Sequence, residues 1–316
     1  MPTLTVFTPA YNRAHTIGRT YESLCRQTCR DFEWLIIDDG STDGTRELVL
    51  SWLQPPQSLH EAKGNSFSGI CSAGFKIRYI WQENQGMHGA HNTAYRNITT
   101  ELNTCIDSDD WMPDDAVEKI LTFWKMHGSD RYAGFVGLDY TAEGELIGTM
   151  FPSDMTETTL SGFYAQGGKG DKKLVYRTSI INQYPEYPLF EGERYVGLAY
   201  KYMLIDQDYK LLTLNEPLVI VEYQPDGSSH SMYRQYWNNP RGFAFFRKTE
   251  MQYTSSLKRQ FVVCAHYVSS SIISRNWHFV QESPQKLKTL LSIPAGIALF
   301  LIIYYKVKLN EKMNIG

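Results

Sequence analysis

The first half of this chain alternates between two kinds of text, and that alternation limits its fold more than any other feature. Short apolar runs rich in β-forming residues, TLTVF, EWLIID, KIRYIW and LNTCID, are separated by HTIGRTYESLCRQ, TRELVLSWL, GAHNTAYRN and DDAVEKILTFWKM, which carry apolar residues at helical spacing. Strand followed by helix, repeated, builds a parallel sheet wrapped by helices, an α/β architecture. In such sheets ligands bind beyond the carboxyl ends of the strands. The polar clusters TPAYNR, DDGSTDGT, ENQGMHG and DSDD follow those strands in turn, so these strand ends are expected to share one crevice. Between Gln54 and Gly74 the Pro-, Gly- and Ser-rich text reads as a long inserted connection with no element of its own.

Beyond Asp139 the pattern loosens into β-like pieces, KLVYRTS, KLLTLN and LVIVEY, with helical text around Arg194 to Met203, and from Ser231 to Trp277 it is largely helical. The terminal run LLSIPAGIALFLIIYYKVK has no charge from Leu290 to Tyr305 and is bracketed by Lys286, Lys288, Lys306 and Lys308. It is slightly short of the roughly 20 apolar residues a span requires. Pro294 and Gly296 are expected to break it, and its lysines and Tyr304/Tyr305 suit a headgroup boundary. The reading is an interfacial anchor at the cytoplasmic face of the cell membrane, peripheral or monotopic, against the alternative of a buried core helix. The expected organisation is a catalytic domain over 1–230, a helical extension over 231–283 and an apolar membrane-associating tail over 284–316.

Composition narrows the function. A formal net charge of -3 from 31 basic and 34 acidic residues gives no footprint for nucleic acid, so an anionic partner needs a local site. The 5 cysteines are irregularly spaced, which fits neither a disulfide framework nor a zinc site; Cys25 and Cys29, one helical turn apart, read as packing. The opening MPTLTVFTPAYNR lacks a basic leader with a long apolar run, so its first strand is expected to begin the fold.

Two acidic clusters carry the chemistry. In IIDDGSTDGT, Ser41 and Asp43 are helix-cap candidates, whereas Asp38 and Asp39 directly follow buried isoleucines and can accept hydrogen bonds from a ribose or base edge. No GxGxxG follows the first strand, which disfavours a dinucleotide, and FTPAYNR is not a P-loop. In LNTCIDSDDW, Asp107 and Asp109 can turn toward one hard cation; a surface turn is the plainer alternative. A cation beside a nucleoside site implies a diphosphate between them, whose departure it would assist.

The stretch TVFTPAYNRAHTIGRTYESLCRQTCRDFEWLIIDDGSTDGT, then ENQGMHGAHNTAYRN and CIDSDDWMPDDAVEKI, resembles family 2 glycosyltransferases of the GT-A fold, over roughly Thr3 to Met126. The resemblance implies a mostly parallel, Rossmann-like sheet flanked by helices with a helical C-terminal extension. It also implies a nucleotide-sugar donor such as a UDP-sugar, Mg2+ or Mn2+, and inversion at the anomeric carbon. The enzymes it resembles build bacterial surface polysaccharide, which suggests a saccharide or lipid-linked acceptor and a membrane surface. Carried over, Thr8, Pro9, Ala10 and Tyr11 line the nucleotide pocket, Asp39 receives the base, Asp107 and Asp109 hold the metal and Asp110 completes the DSDD. Arg13, Asp38, Gly86, His88, Asn92, Asp107 and Ser108 complete the expected donor set. The chain departs from the family at Met87, His88 and His91, where a Lys, Ser or Arg is frequent; His88 reads either as a pyrophosphate contact or as a loop histidine.

The second half should hold the catalytic base. Where an acidic pair is expected the chain has Gly197 and Leu198, and the nearest carboxylates are Glu191 and Glu193, with Glu193 also readable as a structural acceptor at a helix start. Asp206 and Asp208 read as turn residues before a strand, and His230 with Arg234 as a polar loop able to close on a diphosphate. The competing functions are a non-catalytic nucleotide-sugar binding protein at the membrane and a sugar nucleotidyltransferase.

Overall fold

The structure, a computed structural model, describes residues 2–58, 65–222 and 232–313. The chain forms two units, Met1–Glu186 with Leu204–Tyr223, and Tyr187–Met203 with Gln224–Gly316.

The first unit opens with β1 (Leu4–Ala10), α1 (Ile17–Cys25), β2 (Phe32–Asp38), α2 (Thr45–Ser51), β3 (Gln54–Ser58), β4 (Ser66–Ile70) and β5 (Lys76–Trp81). It continues with α3 (Met87–Asn97), β6 (Leu102–Cys105), α4 (Ala116–His127), β7 (Tyr132–Thr141), β8 (Glu157–Thr158), α5 (Leu160–Ala165), β9 (Lys172–Arg177) and α6 (Thr178–Ile181). Helix α7 (Ala199–Asp208) leads into β10 (Lys210–Val221). The strands form one sheet in the order β3-β4-β5-β2-β1-β6-β9-β7-β10-β8. Strands β5, β2, β1 and β6 are mutually parallel, as are β7 and β10, and β9 is antiparallel to both its neighbours.

Every residue of β1 and β2 is buried, as expected for central strands covered on both faces. In α4 the buried Ala116, Val117, Ile120 and Trp124 recur at helical spacing and lie in the same core as Leu4, Val6, Trp34, Leu102 and Phe135. Burying a side chain of this size stabilises by roughly 1.5–3 kcal/mol. Cys25 and Cys29 pack against that core as free thiols.

The segment after Gln54 is not an elementless connection: β3 and β4 pair antiparallel and extend the sheet beyond β5. Its prolines, Pro55 and Pro56, obscured the strand, but β3 is the edge of the sheet, where proline is tolerated. Asp206 and Asp208 are not turn residues but lie in the last turns of α7. The Asp206 carboxylate accepts from Leu160 N (3.0 Å) and Ser161 N (2.8 Å) and so caps α5, while Tyr184 Oη donates to Asp208 Oδ2 (2.7 Å).

The second unit holds α8 (Met232–Asn238), α9 (Pro240–Tyr253), α10 (Leu257–Ile273), α11 (Phe279–Glu282), α12 (Lys286–Leu291) and α13 (Ile293–Met313). Its small core is Met251, Val263, Cys264 and Tyr267. Contrary to expectation, Pro294 and Gly296 do not interrupt α13. Proline sits in the first turn, where its missing N–H costs nothing, and Gly296 lets the helix approach α10 so closely that a Cβ there would lie 2.5 Å from that of Val268. Leu287, Leu290, Leu291, Leu301, Ile302 and Tyr305 are exposed on α12 and α13. Among the described residues no helix is long and apolar enough to cross a membrane.

Candidate active site

The loops leaving β1 and β2 are knitted together. Asn12 takes a left-handed conformation (φ 54°), which asparagine tolerates, and its N–H donates to Ser41 Oγ (2.9 Å) while Thr42 N donates to Asn12 Oδ1 (2.8 Å). Arg13 N donates to Thr45 Oγ1 (2.9 Å) and Ala14 N to Asp43 Oδ2 (3.1 Å); Asp43 Oδ1 accepts from Thr45 N (3.0 Å) at the start of α2. Of the residues read for the nucleotide pocket in this loop, Tyr11 is 49% exposed and Arg13 half-buried, whereas Thr8, Pro9 and Ala10 are buried in β1.

Asp38 and Asp39 are saturated by their own chain. Asp38, with no exposed surface, accepts from Ser41 N (2.7 Å) and Tyr79 Oη (2.6 Å). Burial, and then this bond to Asp38, push the Tyr79 phenol well above its ordinary range. Asp39 accepts from Gln82 Nε2 (2.6 Å), Gln85 N (2.9 Å) and Gly86 N (2.7 Å), which fixes the turn into α3. Thr8 Oγ1 accepts from Trp34 Nε1 (2.9 Å), and His88 and Asn92, both on α3, are buried at 2% and 1% exposure. Thr8, Asp38 and Asp39 thus accept bonds from their own chain, and His88 is a helix residue, not a loop histidine.

The DSDD loop is different. Asp107 is exposed, Asp109 half-buried and Asp110 buried, with Ser108 also buried between them. Thr20 Oγ1 donates to the Asp110 carbonyl (2.7 Å), Arg19 Nη2 to the Asp109 carbonyl (3.2 Å), and Glu222 N to Asp110 Oδ1 (3.3 Å). The Arg19 guanidinium lies 5.2 Å from the Trp111 ring centroid and pairs with Glu222, and Trp111 exchanges backbone bonds with Ile220. Arg19, missed in the sequence, thus clamps this loop from α1. Among the described residues no other residue donates a hydrogen bond to the Asp109 carboxylate, and burial, then the charge of Asp107, raise its pKa. The same two causes push Asp110 up to about 8 while Lys173 pulls it back.

A divalent cation fits this donor set, because hard carboxylate oxygens that repel one another gain from a positive charge between them. Among the described residues no three His, Cys, Asp or Glu side chains converge as a cation cage, so Asp107 and Asp109 would provide at most part of a coordination shell.

A profile of glycosyl transferase family 2 matches residues 5–167, just over half the chain. The chain belongs to that family. Chondroitin synthase of Escherichia coli is 36% identical over 147 residues, 46% of this chain but only 19% of the synthase's length. The fold is the GT-A fold. Staphylococcus aureus TarS 1–349, crystallised with UDP-GlcNAc, superposes with a TM-score of 0.60 at 15% identity over 98% of this chain and 92% of TarS. The mannosyltransferase PcManGT of Pyrobaculum calidifontis, in complex with GDP-Man and Mn2+, gives 0.50 at 15% identity over 100% of this chain and 81% of the other.

In this family 2 glycosyltransferase the second unit contains both carboxylates read as the base. Glu191 is exposed. Glu193, at 6% exposure, has both oxygens engaged: Oε1 accepts from Arg241 N (3.0 Å) and Nε (2.9 Å), and Oε2 from Gly242 N (2.8 Å). These bonds cap the first turn of α9, whose N-cap residue Asn239 makes no capping bond of its own. Glu193, read as the base, acts in this structure as a cap of α9. Arg234 is exposed on α8, and His230 lies outside the described residues.

Proposed function

We propose that this glycosyltransferase moves a sugar, with inversion, from a nucleoside-diphosphate donor of the UDP-sugar class to a hydroxyl of a saccharide or lipid-linked acceptor during bacterial surface-polysaccharide synthesis. The observation that carries the reading is the DSDD loop, which sets the exposed Asp107 beside the half-buried Asp109 and buried Asp110, mutually repelling, at the end of β6 in a family 2 fold. The donors bound to TarS and PcManGT and the Mn2+ of the latter support it. Asp107 and Asp109 would hold Mg2+ or Mn2+, which when bound neutralises charge on the departing diphosphate. Tyr11 and Arg13 would border the nucleotide pocket, Ser108 would contribute backbone, Gly86 would shape its wall, and Arg19 keeps the DSDD loop in place. The test is nucleotide release from UDP-GlcNAc with Mn2+. Asp109→Asn should lower the rate at least ~10²-fold with an unchanged melting temperature. Full activity in that variant or in excess chelator would sink the cation role, and release of pyrophosphate in place of UDP would mark a nucleotidyltransferase.

The second unit supports association with the cytoplasmic face of the membrane. Leu287, Leu290 and Leu291 are 70%, 53% and 62% exposed on α12, in a stretch that also carries Lys286 and Lys288. Exposed leucines with basic neighbours suit an anionic bilayer surface. Leu287→Glu with Leu291→Glu should reduce sedimentation with phosphatidylglycerol vesicles. Unchanged sedimentation of that variant, or wild-type protein that stays in the supernatant, would count against the membrane reading.

A further inference from the structure

Strand β7 ends its buried stretch on an acid, Asp139, that has no part in the site described above. The residue is 5% exposed, its Oδ1 is closed to solvent, and that oxygen has no hydrogen-bond partner. A buried carboxylate without donors is costly, and other carboxylates show how the chain ordinarily avoids the cost: Asp38, Asp39, Asp206 and Glu193 each receive donors on both oxygens.

The surroundings say what the missing donor is. Gly137 faces Lys173 in the pairing of β7 with β9, and side chains alternate along a strand, so Asp139 lies on the Lys173 face of the sheet. The charged and titratable groups around it are Lys173, Asp171 and Lys172 at the start of β9, Asp107 of the DSDD loop and Tyr164 of α5. Lys172 does not pair with it. The Lys172 ammonium is spent on the carbonyls of Ile147 (3.1 Å), Lys169 (2.9 Å) and Asp171 (3.0 Å), which fastens the segment leading into β9. Val175 of β9 pairs with both Thr104 of β6 and Phe135 of β7, so Asp107 and Asp139 lie at the same end of the sheet two strands apart, and among the described residues no group fills the Asp139 Oδ1 lone pair. Sugar transfer brings one new donor to such a place, the hydroxyl of the acceptor.

Resting on the transferase reading, we propose that Asp139 is the catalytic base. Its carboxylate takes the proton of the acceptor hydroxyl as that oxygen bonds to the anomeric carbon. The bond from that carbon to the donor's phosphate oxygen breaks, and its electron pair leaves with the nucleoside diphosphate. Burial pushes the Asp139 carboxyl up to about 6, with Lys173 drawing it down, so the group is ionised at neutral pH yet basic enough to accept a proton.

The experiment uses the full chain with Mn2+ and follows UDP release from a panel of UDP-sugars, with water as the accepting hydroxyl, beside UDP binding and thermal melting. Asp139→Asn should slow release 10²- to 10⁴-fold while UDP affinity stays within about twofold. Its melting temperature should hold or rise, since a buried charge is removed. The acid limb of the rate profile, with an apparent pKa near 6, should vanish, and sodium formate should partly restore Asp139→Ala. Normal turnover by Asp139→Asn overturns the proposal while leaving the transferase reading intact. A lowered melting temperature with no rescue by formate assigns Asp139 to structure, and a matching loss of UDP affinity assigns it to the donor; either overturns it. Wild-type protein that releases UDP from none of the donors removes the transferase reading and this proposal together.

Discussion

The carboxylates at the end of β2 and those at the ends of β6 and β7 occupy equivalent places in one sheet, and the fold treats them in opposite ways. Asp38 and Asp39 are buried and receive donors from Ser41, Tyr79, Gln82, Gln85 and Gly86. Asp109 and Asp139 are wholly or partly buried, receive no side-chain donor among the described residues, and have raised pKa values with burial as the largest cause. A carboxylate that its own chain satisfies holds that chain in place, whereas one that is desolvated and left unsatisfied carries a standing cost that a bound cation or donor group would offset.

This contrast can be broken most severely at Asp39. Asp39→Ala leaves Gln85 N, Gly86 N and the Gln82 amide without their acceptor, and should destabilise the protein by about 3 kcal/mol. The measurement is urea unfolding; a midpoint equal to wild type would mean that these bonds do not hold the turn into α3. Glu193→Gln sharpens the same contrast in the second unit. It keeps the shape of the cap but loses its charge against Arg241 and the helix dipole, for about 1–2 kcal/mol. Release of UDP should persist in Glu193→Gln at more than half the wild-type rate. A folded but inactive Glu193→Gln enzyme would return the base to the position first read from the sequence.

Much of the sheet was legible because its signals are local: TLTVF, EWLIID, KIRYIW and LNTCID became β1, β2, β5 and β6, and the helices between them followed their apolar periodicity. The expectation of a ligand-bearing end rested on the same kind of signal, since polar clusters after buried strands stand out. What the sequence concealed was the distribution of hydrogen bonds, which depends on partners far along the chain. Asp39 is satisfied from residues more than forty positions away, and Glu193 from α9. Asp139 bore the same signature as Asp38 and Asp107, an acid closing a buried apolar run, but the looser pattern around it hid the strand end. Arg19 had no signal beyond its place early in α1, because its worth lies in what it reaches across to hold.

The two margins of the ten-stranded sheet bear on crowding. One margin is β3, interrupted by Pro55 and Pro56, and the other is β8, only two residues long. The β3 margin does not offer the long run of unpaired amides and carbonyls through which sheets of separate molecules fuse, whereas β8 covers only Leu211 and Leu212 of β10. Copies of the protein concentrated in a small volume, as on a shared surface, can collide at the β3 edge without seeding a continuous intermolecular β-structure. The proline-bearing text that disguised a strand in the sequence thereby serves colloidal safety.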